Sequence, residues 1–465
     1  MTKKQIFGGI LGIVLGVALA LCPPPKELTP QAMSALGILV CAVTYWIFEV
    51  GPEYVVAIGM CTLWAVFKCV PFKIAFATFA DTTWWLLLGA LGMGVAVSKS
   101  GLLKRLSLLV MKIFPASFNG QVLALFSAGF LISPLIPSVT AKAAIVAPVS
   151  MGISDAMGYK RKSRGAGGLF GAMFVGFVLT GPMFLSASFV CYMMRGLLPA
   201  AVQEQFHWTY WFVAAFAYTV TVIVLLYFVI IFLYKPKEKV SLSKSYVTEQ
   251  LAKIGPMTRN EKITAVVLVV ALLFWMTETI HGISSTVIAL LALVILLGCK
   301  VYDRPDFRAS MAWDIMIFIG GIVCIGGVLT SLKIDKWLAE IFGHIITPMI
   351  SNIYVFIIVL SISIYAARYL IVSFTAATAI FTVLLLPFAA QANVNPWVIG
   401  FIVFTSSMIW NVFYQNSTFV TAYTAVGGEM VTHKQMAILS YAYCVISIIG
   451  LLACVPIWKI MGLVP

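Results

Sequence analysis

Lys142 sits where a lysine is costly. It lies in the apolar run VTAKAAIVAPVSMGI, two residues past Thr140. A helix leaving that point must run about ten more residues, about 15 Å, before it clears hydrocarbon. A lysine side chain is too short to reach water fully over that distance. A charge at such depth costs about 2.5 kcal/mol or more, so the residue is a functional candidate by default. Its chemistry is electrostatic: balancing an anion, or acting as a paired group in a wet crevice.

Four short polar stretches share this setting. Two read as hairpin tips, Pro134-Leu-Ile-Pro-Ser-Val-Thr140 and Ser373-Phe-Thr-Ala-Ala-Thr378, and two interrupt long apolar segments, Thr180 to Ser188 and Asn411 to Thr418. Inside a bilayer, non-helical backbone persists only where it lines a protein cavity. Each stretch offers hydroxyl or amide donors and an open helix N-terminus, whose N–H groups and dipole favour an anion. The candidate binding residues are Ser138, Val139, Thr140 and Lys142 at the first tip and Thr375, Ala377 and Thr378 at the second. Ser186 and Ser188 join them from the first break, and Asn416, Ser417 and Thr418 from the second. Donors in a two-fold arrangement suit a ligand with a carboxylate at each end. Taken singly, the same small residues would also serve helix packing. Arg368, ten residues before Thr378, is expected near the outer interface, and Glu49 and Glu278 read as helix-end caps.

The elements that must position these groups follow from hydrophobicity. Of 465 residues, 62% are hydrophobic and 10% charged, against about 25% charged in a soluble domain. A soluble fold is excluded, and recurring apolar runs imply an all-α polytopic membrane protein. The lack of alternation argues against a transmembrane β-barrel. Residues 1–30 read as an N-terminal span that is retained, 31–234 as a first repeat and 263–465 as a second, with a polar linker at 235–262. Within the repeats, re-entrant hairpins are expected at 117–152 and 352–390 and broken helices at 167–194 and 396–426. Amphipathic stretches at 99–114 and 333–347 precede the hairpins.

The repeat is carried by residues in matching order. Trp46 and Glu49 recur as Trp275 and Glu278, and Gly89, Gly94, Lys104 and Leu106 as Gly321, Gly326, Lys336 and Leu338. Thr140, Ala141 and Pro148 are echoed by Thr378, Ala379 and Pro387, and Ser186 to Val190 by Asn416 to Val420. Such a series indicates an internal duplication. With a cytoplasmic N-terminus, most of the 30 lysines and arginines fall on the cytoplasmic side, as the positive-inside rule requires. The expected architecture has 11 transmembrane helices, two hairpins opening to opposite sides, inverted repeats and an extracellular C-terminus. The setting is the plasma membrane, and the lipid bilayer is the chain's first partner.

No HExxH, GxSxG or P-loop motif occurs, nor paired intramembrane aspartates, so an enzyme has little support. The four histidines are scattered and the nine cysteines lie mostly in apolar runs; no metal site, cofactor or nucleic acid is expected. A channel remains an alternative, separated from a carrier by saturable, counter-stimulated flux.

The segments TWWLLLGALGMGVAVSKSGLLKRL, IPSVTAKAAIVAPV, FWMTETIHGISSTVIAL, AWDIMIFIGGIVCIGGVLTSLKIDKWLA and FTAATAIFTVLLLPFA together resemble the divalent-anion/sodium symporter family of di- and tricarboxylate carriers, over nearly the full length. The family carries a Ser-Asn-Thr motif at each hairpin tip, serving carboxylate and sodium. Here the tips read Ser138-Val139-Thr140 and Ala376-Ala377-Thr378, without either asparagine, and the broken helices lack the family's Thr-Pro-Pro-Asn pattern. The resemblance implies an elevator-type homodimeric carrier of small dicarboxylates, with scaffold and transport domains. The departures favour the family's sodium-independent exchangers over a sodium-coupled di/tricarboxylate or sulfate symporter.

Overall fold

The computed structural model describes residues 2–25, 27–236, 246–341 and 352–465. Every regular element among them is a helix. The first half runs α1 (Lys3–Leu21), α2 (Pro30–Phe48), α3 (Glu53–Val66), α4 (Thr82–Ser100), α5 (Leu102–Ile113), α6 (Phe118–Ile132), α7 (Val139–Ala156), α8 (Arg164–Phe174), α9 (Phe189–Leu197) and α10 (Trp208–Leu233). After α11 (Tyr246–Ile254) come α12 (Arg259–Met276), α13 (Ser285–Gly298), α14 (Trp313–Ser331), α15 (Ile353–Ala367), α16 (Phe374–Gln391), α17 (Pro396–Ser407), α18 (Ser417–Ala425) and α19 (His433–Ile460). Apart from α1, α11 and a few short turns, the second half repeats the first element by element. The second amphipathic stretch, 333–347, begins in a turn at Lys333 and is helical over 334–341; 342–347 lies outside the described residues, as does 237–245 of the linker.

Local sequence sets the ends. Thr29 caps α2 with Pro30 in its first turn, Ser117 caps α6, and Thr258 and Glu261 form a reciprocal capping box on α12; each satisfies N–H groups the helix cannot. Gly101, at φ +80°, lets the chain turn by 70° between α4 and α5. The amphipathic α5 is thereby laid across the bundle as an arm. Arg105 fixes it there: its guanidinium grips both Glu261 oxygens, at 2.7 and 3.0 Å, and the Gly255 carbonyl at 2.8 Å.

The halves interlock. α4 packs along α13 and α3 along α14, so each half's early helices lie against those of the other. Gly89 abuts Ala289 with no room for a Cβ, the close approach that small residues permit between membrane helices. The hairpins cross over in the same way: α7 lies against α18, and α16 against α9. Gly129 on α6 meets Gly176 so closely that a Cβ would sit 2.0 Å from the Gly176 carbonyl oxygen.

Seven helices among the described residues are long and apolar enough to cross a membrane, or eight if the bent pair α4–α5 counts as one. Five apolar helices are shorter, and they include both legs of the second hairpin, α15 and α16. The chain is a multi-pass helical membrane protein; helix length alone does not divide it into eleven crossings and two hairpins.

Candidate functional site

The first tip is the passage from Ser133 to Ser138 between α6 and α7, one 3₁₀ turn (Ser133–Leu135) followed by three irregular residues. Ser138 caps α7 by accepting from the Ala141 N–H at 3.2 Å. Val139 is buried against Gly181 of the first break. Lys142 has no exposed surface; its amine donates to Ser133 Oγ at 3.1 Å and to the Ala187 carbonyl at 3.0 Å. Ser133 shares a second hydrogen bond with Thr180, at 2.8 Å. The lysine thus ties its hairpin to the break between α8 and α9.

That break begins with a widened turn at Val175–Leu179 and ends where Ser188 caps α9. Ser186 Oγ donates to the Pro134 carbonyl at 2.6 Å and accepts from the Trp208 indole at 2.9 Å. Its hydroxyl is therefore engaged within the protein.

At the second hairpin the tying residue is Arg368, the residue expected near an interface. It is fully buried. Its Nε donates to the Ser407 carbonyl at 3.0 Å, Nη1 to the carbonyls of Val372, at 2.7 Å, and Ile371, and Nη2 to the Gln415 carbonyl. Gln415 returns a bond from its amide to the Arg368 carbonyl at 3.2 Å. Ser373 caps the first turn of α16 and Asn416 that of α18. Ala377 is buried, and Thr378 donates to the Phe374 carbonyl within its own helix at 2.7 Å.

Between the tips lies a cavity of about 480 Å³. Four helices begin at its wall. Thr140 of α7, Phe189 of α9, Phe374 and Thr375 of α16 and Ser417 of α18 all line it, each in its helix's first turn. Thr140 also shares a hydrogen bond with Thr418, at 2.9 Å, joining α7 to α18. Four N-termini aimed at one space concentrate positive potential and N–H donors there. Of the sequence candidates, Thr140, Thr375 and Ser417 reach the cavity directly. Ser138, Ser188 and Asn416 build the N-termini that face it, and Lys142 stands behind the wall.

Sequence reasoning missed the opposite wall. It is formed by Trp46, Glu49, Glu53 and Tyr54 around the α2–α3 turn and by Asp314 and Phe318 of α14. The repeated Trp46 and Glu49 were a signal, but one that fits a cap equally well. Glu53 and Ser373 line the cavity together. Glu49 pairs with Lys4 at 3.4 Å. An anion here would meet helix N-termini on one side and carboxylates on the other. Among the described residues no cluster of His, Cys, Asp and Glu is placed to hold a metal ion.

The chain is similar to known membrane transporters. The family described as "Sodium:sulfate symporter transmembrane region" matches residues 3–464. The putative malate transporter YflS of Bacillus subtilis is 24% identical over 71% of this chain and 71% of its own length. Dicarboxylate transporter 1 of spinach chloroplasts is 26% identical over 71% of this chain, which spans only 59% of that relative's length. Inner membrane protein YbhI of Escherichia coli is 27% identical over 85% and 84%. Among solved structures, the YdaH transporter of Alcanivorax borkumensis aligns over 99% of this chain and 98% of its own, with a TM-score of 0.58 and 16% identity, a likeness of fold. With the family's description covering nearly every residue, the chain belongs to the divalent-anion/sodium symporter family.

Proposed function

We propose that the protein exchanges one dicarboxylate for another across the plasma membrane, with C4-dicarboxylates and 2-oxoglutarate as the substrate class, and without sodium. The names of the malate and chloroplast dicarboxylate relatives support the substrate class. The cavity supports it too, since four helix N-termini with Thr140, Thr375 and Ser417 between them offer donors to two carboxylates.

The observation that carries exchange is the lysine. Its amine occupies the meeting point of a hairpin hydroxyl, Ser133, and a break carbonyl, Ala187. Those oxygens would otherwise suit a mobile cation. Moving a dianion inward against an inside-negative potential costs about 2.3 kcal/mol per charge for each 100 mV. A symporter offsets that with cations it releases. A tethered ammonium cannot be released, so the empty protein would have to carry a bare, desolvated charge across, which is slow. With a dicarboxylate aboard, the moving body is closer to neutral. Cargo is swapped rather than accumulated.

In this reading the hairpins and broken helices travel as a transport domain, elevator fashion. The scaffold is α2–α4 and α12–α14, braced by the arms and paired in a homodimer. Eleven crossings place the N-terminus in the cytoplasm and the C-terminus outside. Counterflow in proteoliposomes tests it. Labelled succinate should enter only vesicles preloaded with dicarboxylate, with or without sodium, and Lys142→Ala should cut that uptake sharply. Uptake into empty vesicles driven by a sodium gradient would overturn exchange; unchanged kinetics in Lys142→Ala would remove the lysine from the mechanism. The family's description favours a second reading, sodium-coupled symport with sulfate among the substrates. Sodium stimulation and competition by sulfate would select it.

A further inference from the structure

A crevice of about 450 Å³ opens on the flank of the molecule, away from the cavity described above. The arm α5 contributes Ile113 and Phe114, the first leg of hairpin 1 contributes Phe126 and Phe130, and α10 contributes Val220 and Val224. Ser127 is the one polar side chain in its lining. The rim is exposed: Ile113 is 80% and Val224 45% accessible. On membrane-spanning helices such a rim faces hydrocarbon. The crevice follows α6 from Leu123 to Leu131, about 12 Å at the helical rise.

No charged side chain lines the crevice, but two lysines stand on the arm that walls it. Lys112 immediately precedes Ile113, and Lys104 lies two turns back on the same arm; both are exposed. Neither belongs to an ion pair among the described residues, whereas Arg105 between them is held by Glu261. A slot that is apolar along its length and cationic at its mouth is complementary to an amphiphile with one anionic end.

We infer that this crevice binds an anionic phospholipid, one acyl chain lying between the arm and hairpin 1 and the phosphate resting on Lys112. The lipid then touches α6 within two turns of Ser133, the residue that receives the Lys142 amine. It fills the seam between an arm anchored to α12 and a hairpin that carries the tip. This site stands whether or not dicarboxylates are the cargo, because its occupancy can be read without any substrate.

The test uses the purified full-length protein, native mass spectrometry, and vesicles of phosphatidylcholine with or without phosphatidylglycerol. The wild type should retain phosphatidylglycerol through detergent exchange. Ser127→Trp, which fills the slot, should retain none. Lys112→Gln should bind lipid but lose its preference for phosphatidylglycerol over phosphatidylcholine by about fivefold, the factor for roughly 1 kcal/mol per cation at a charged surface. Exchange should run faster in vesicles containing phosphatidylglycerol for the wild type and lose that dependence in Ser127→Trp. No retained lipid in the wild type, or retention undiminished in Ser127→Trp, overturns the site. Should Ser127→Trp fail to fold, the lipid preference of Lys112→Gln decides.

Discussion

At the first hairpin the buried cation is Lys142, whose amine meets one hydroxyl and one carbonyl; at the second it is Arg368, whose guanidinium meets four backbone carbonyls. The two do not sit at equivalent positions. Aligning Thr140 with Thr378 puts Ile380 opposite Lys142, and aligning the caps Ser117 and Asn352 puts Arg368 opposite Ser133. The pair Ser133 and Lys142 on one hairpin is answered by Arg368 and Ile380 on the other. Each half therefore has a positive charge bridging tip and break, on one leg of the hairpin in the first half and on the other leg in the second. The bridges also differ in kind. An ammonium has three rotatable donors, and protein oxygens here engage two; a guanidinium fork committed through Nε and both Nη is a rigid tie. Among the described residues neither cation belongs to an ion pair. In the exchange proposed above, the lysine's charge is the one that balances the travelling anion.

The largest effect expected from this contrast is on folding. Arg368→Ala would leave buried carbonyls of Val372, Ser407 and Gln415 without donors and should cost about 3–5 kcal/mol, as when one partner of a buried charged network is removed. Lys142→Ala removes two hydrogen bonds and should cost about 1–3 kcal/mol. Thermal unfolding followed by tryptophan fluorescence gives both numbers, and counterflow should rank the variants differently. Arg368→Lys, which keeps the charge but not the fork, should retain exchange when purified, while Lys142→Ala should not. Equal losses in both assays would mean that the two junctions do one job.

A subtler variant copies the second junction onto the first. Lys142→Ile alone should abolish sodium-independent exchange. Adding Ser133→Arg restores a cation between tip and break, from the other leg. The larger side chain enters a buried site, so a penalty of about 1–3 kcal/mol is expected. Counterflow in the double variant should nonetheless exceed that of Lys142→Ile. If it does not, the lysine's own position matters and charge at the junction is not enough.

Much of this was legible in the chain. Hydropathy placed apolar segments at 117–132 and 139–152, and helices run Phe118–Ile132 and Val139–Ala156. The polar breaks, the arm at 99–114 and the recurring order of elements were also readable, because each is a local property of composition. What stayed hidden depends on contacts between distant segments. Arg368 ends its helix in the run YAARYLIV, which reads as an interface; its burial comes from Gln415, 47 residues away. Ser186 looked like a free ligand, yet Trp208 and Pro134 take up its hydroxyl. The carboxylates of Glu53 and Asp314 sit in helix first turns, where acids are ordinary, so nothing local marks them as a cavity wall.

The smallest expected effect tests whether the asymmetry reaches the cavity itself. Thr140 and Thr418 join hairpin 1 to the second broken helix by a hydroxyl pair, whereas among the described residues Thr378, the counterpart of Thr140, bonds only within its own helix. Replacing Thr140 or Thr418 by Val preserves shape and removes one hydrogen bond, worth about 0.5–1.5 kcal/mol. Each should raise the KM for the entering dicarboxylate by about two- to tenfold. Once the first hydroxyl is gone the second has lost its partner, so the double variant should fall short of the sum by at least about 0.5 kcal/mol. Thr378→Val should leave KM nearly unchanged. Full additivity would separate the two threonines. A cost at Thr378 equal to that at Thr140 would mean that the tips bind the two ends of the cargo alike, and that the difference between the hairpins stops at the cations behind the wall.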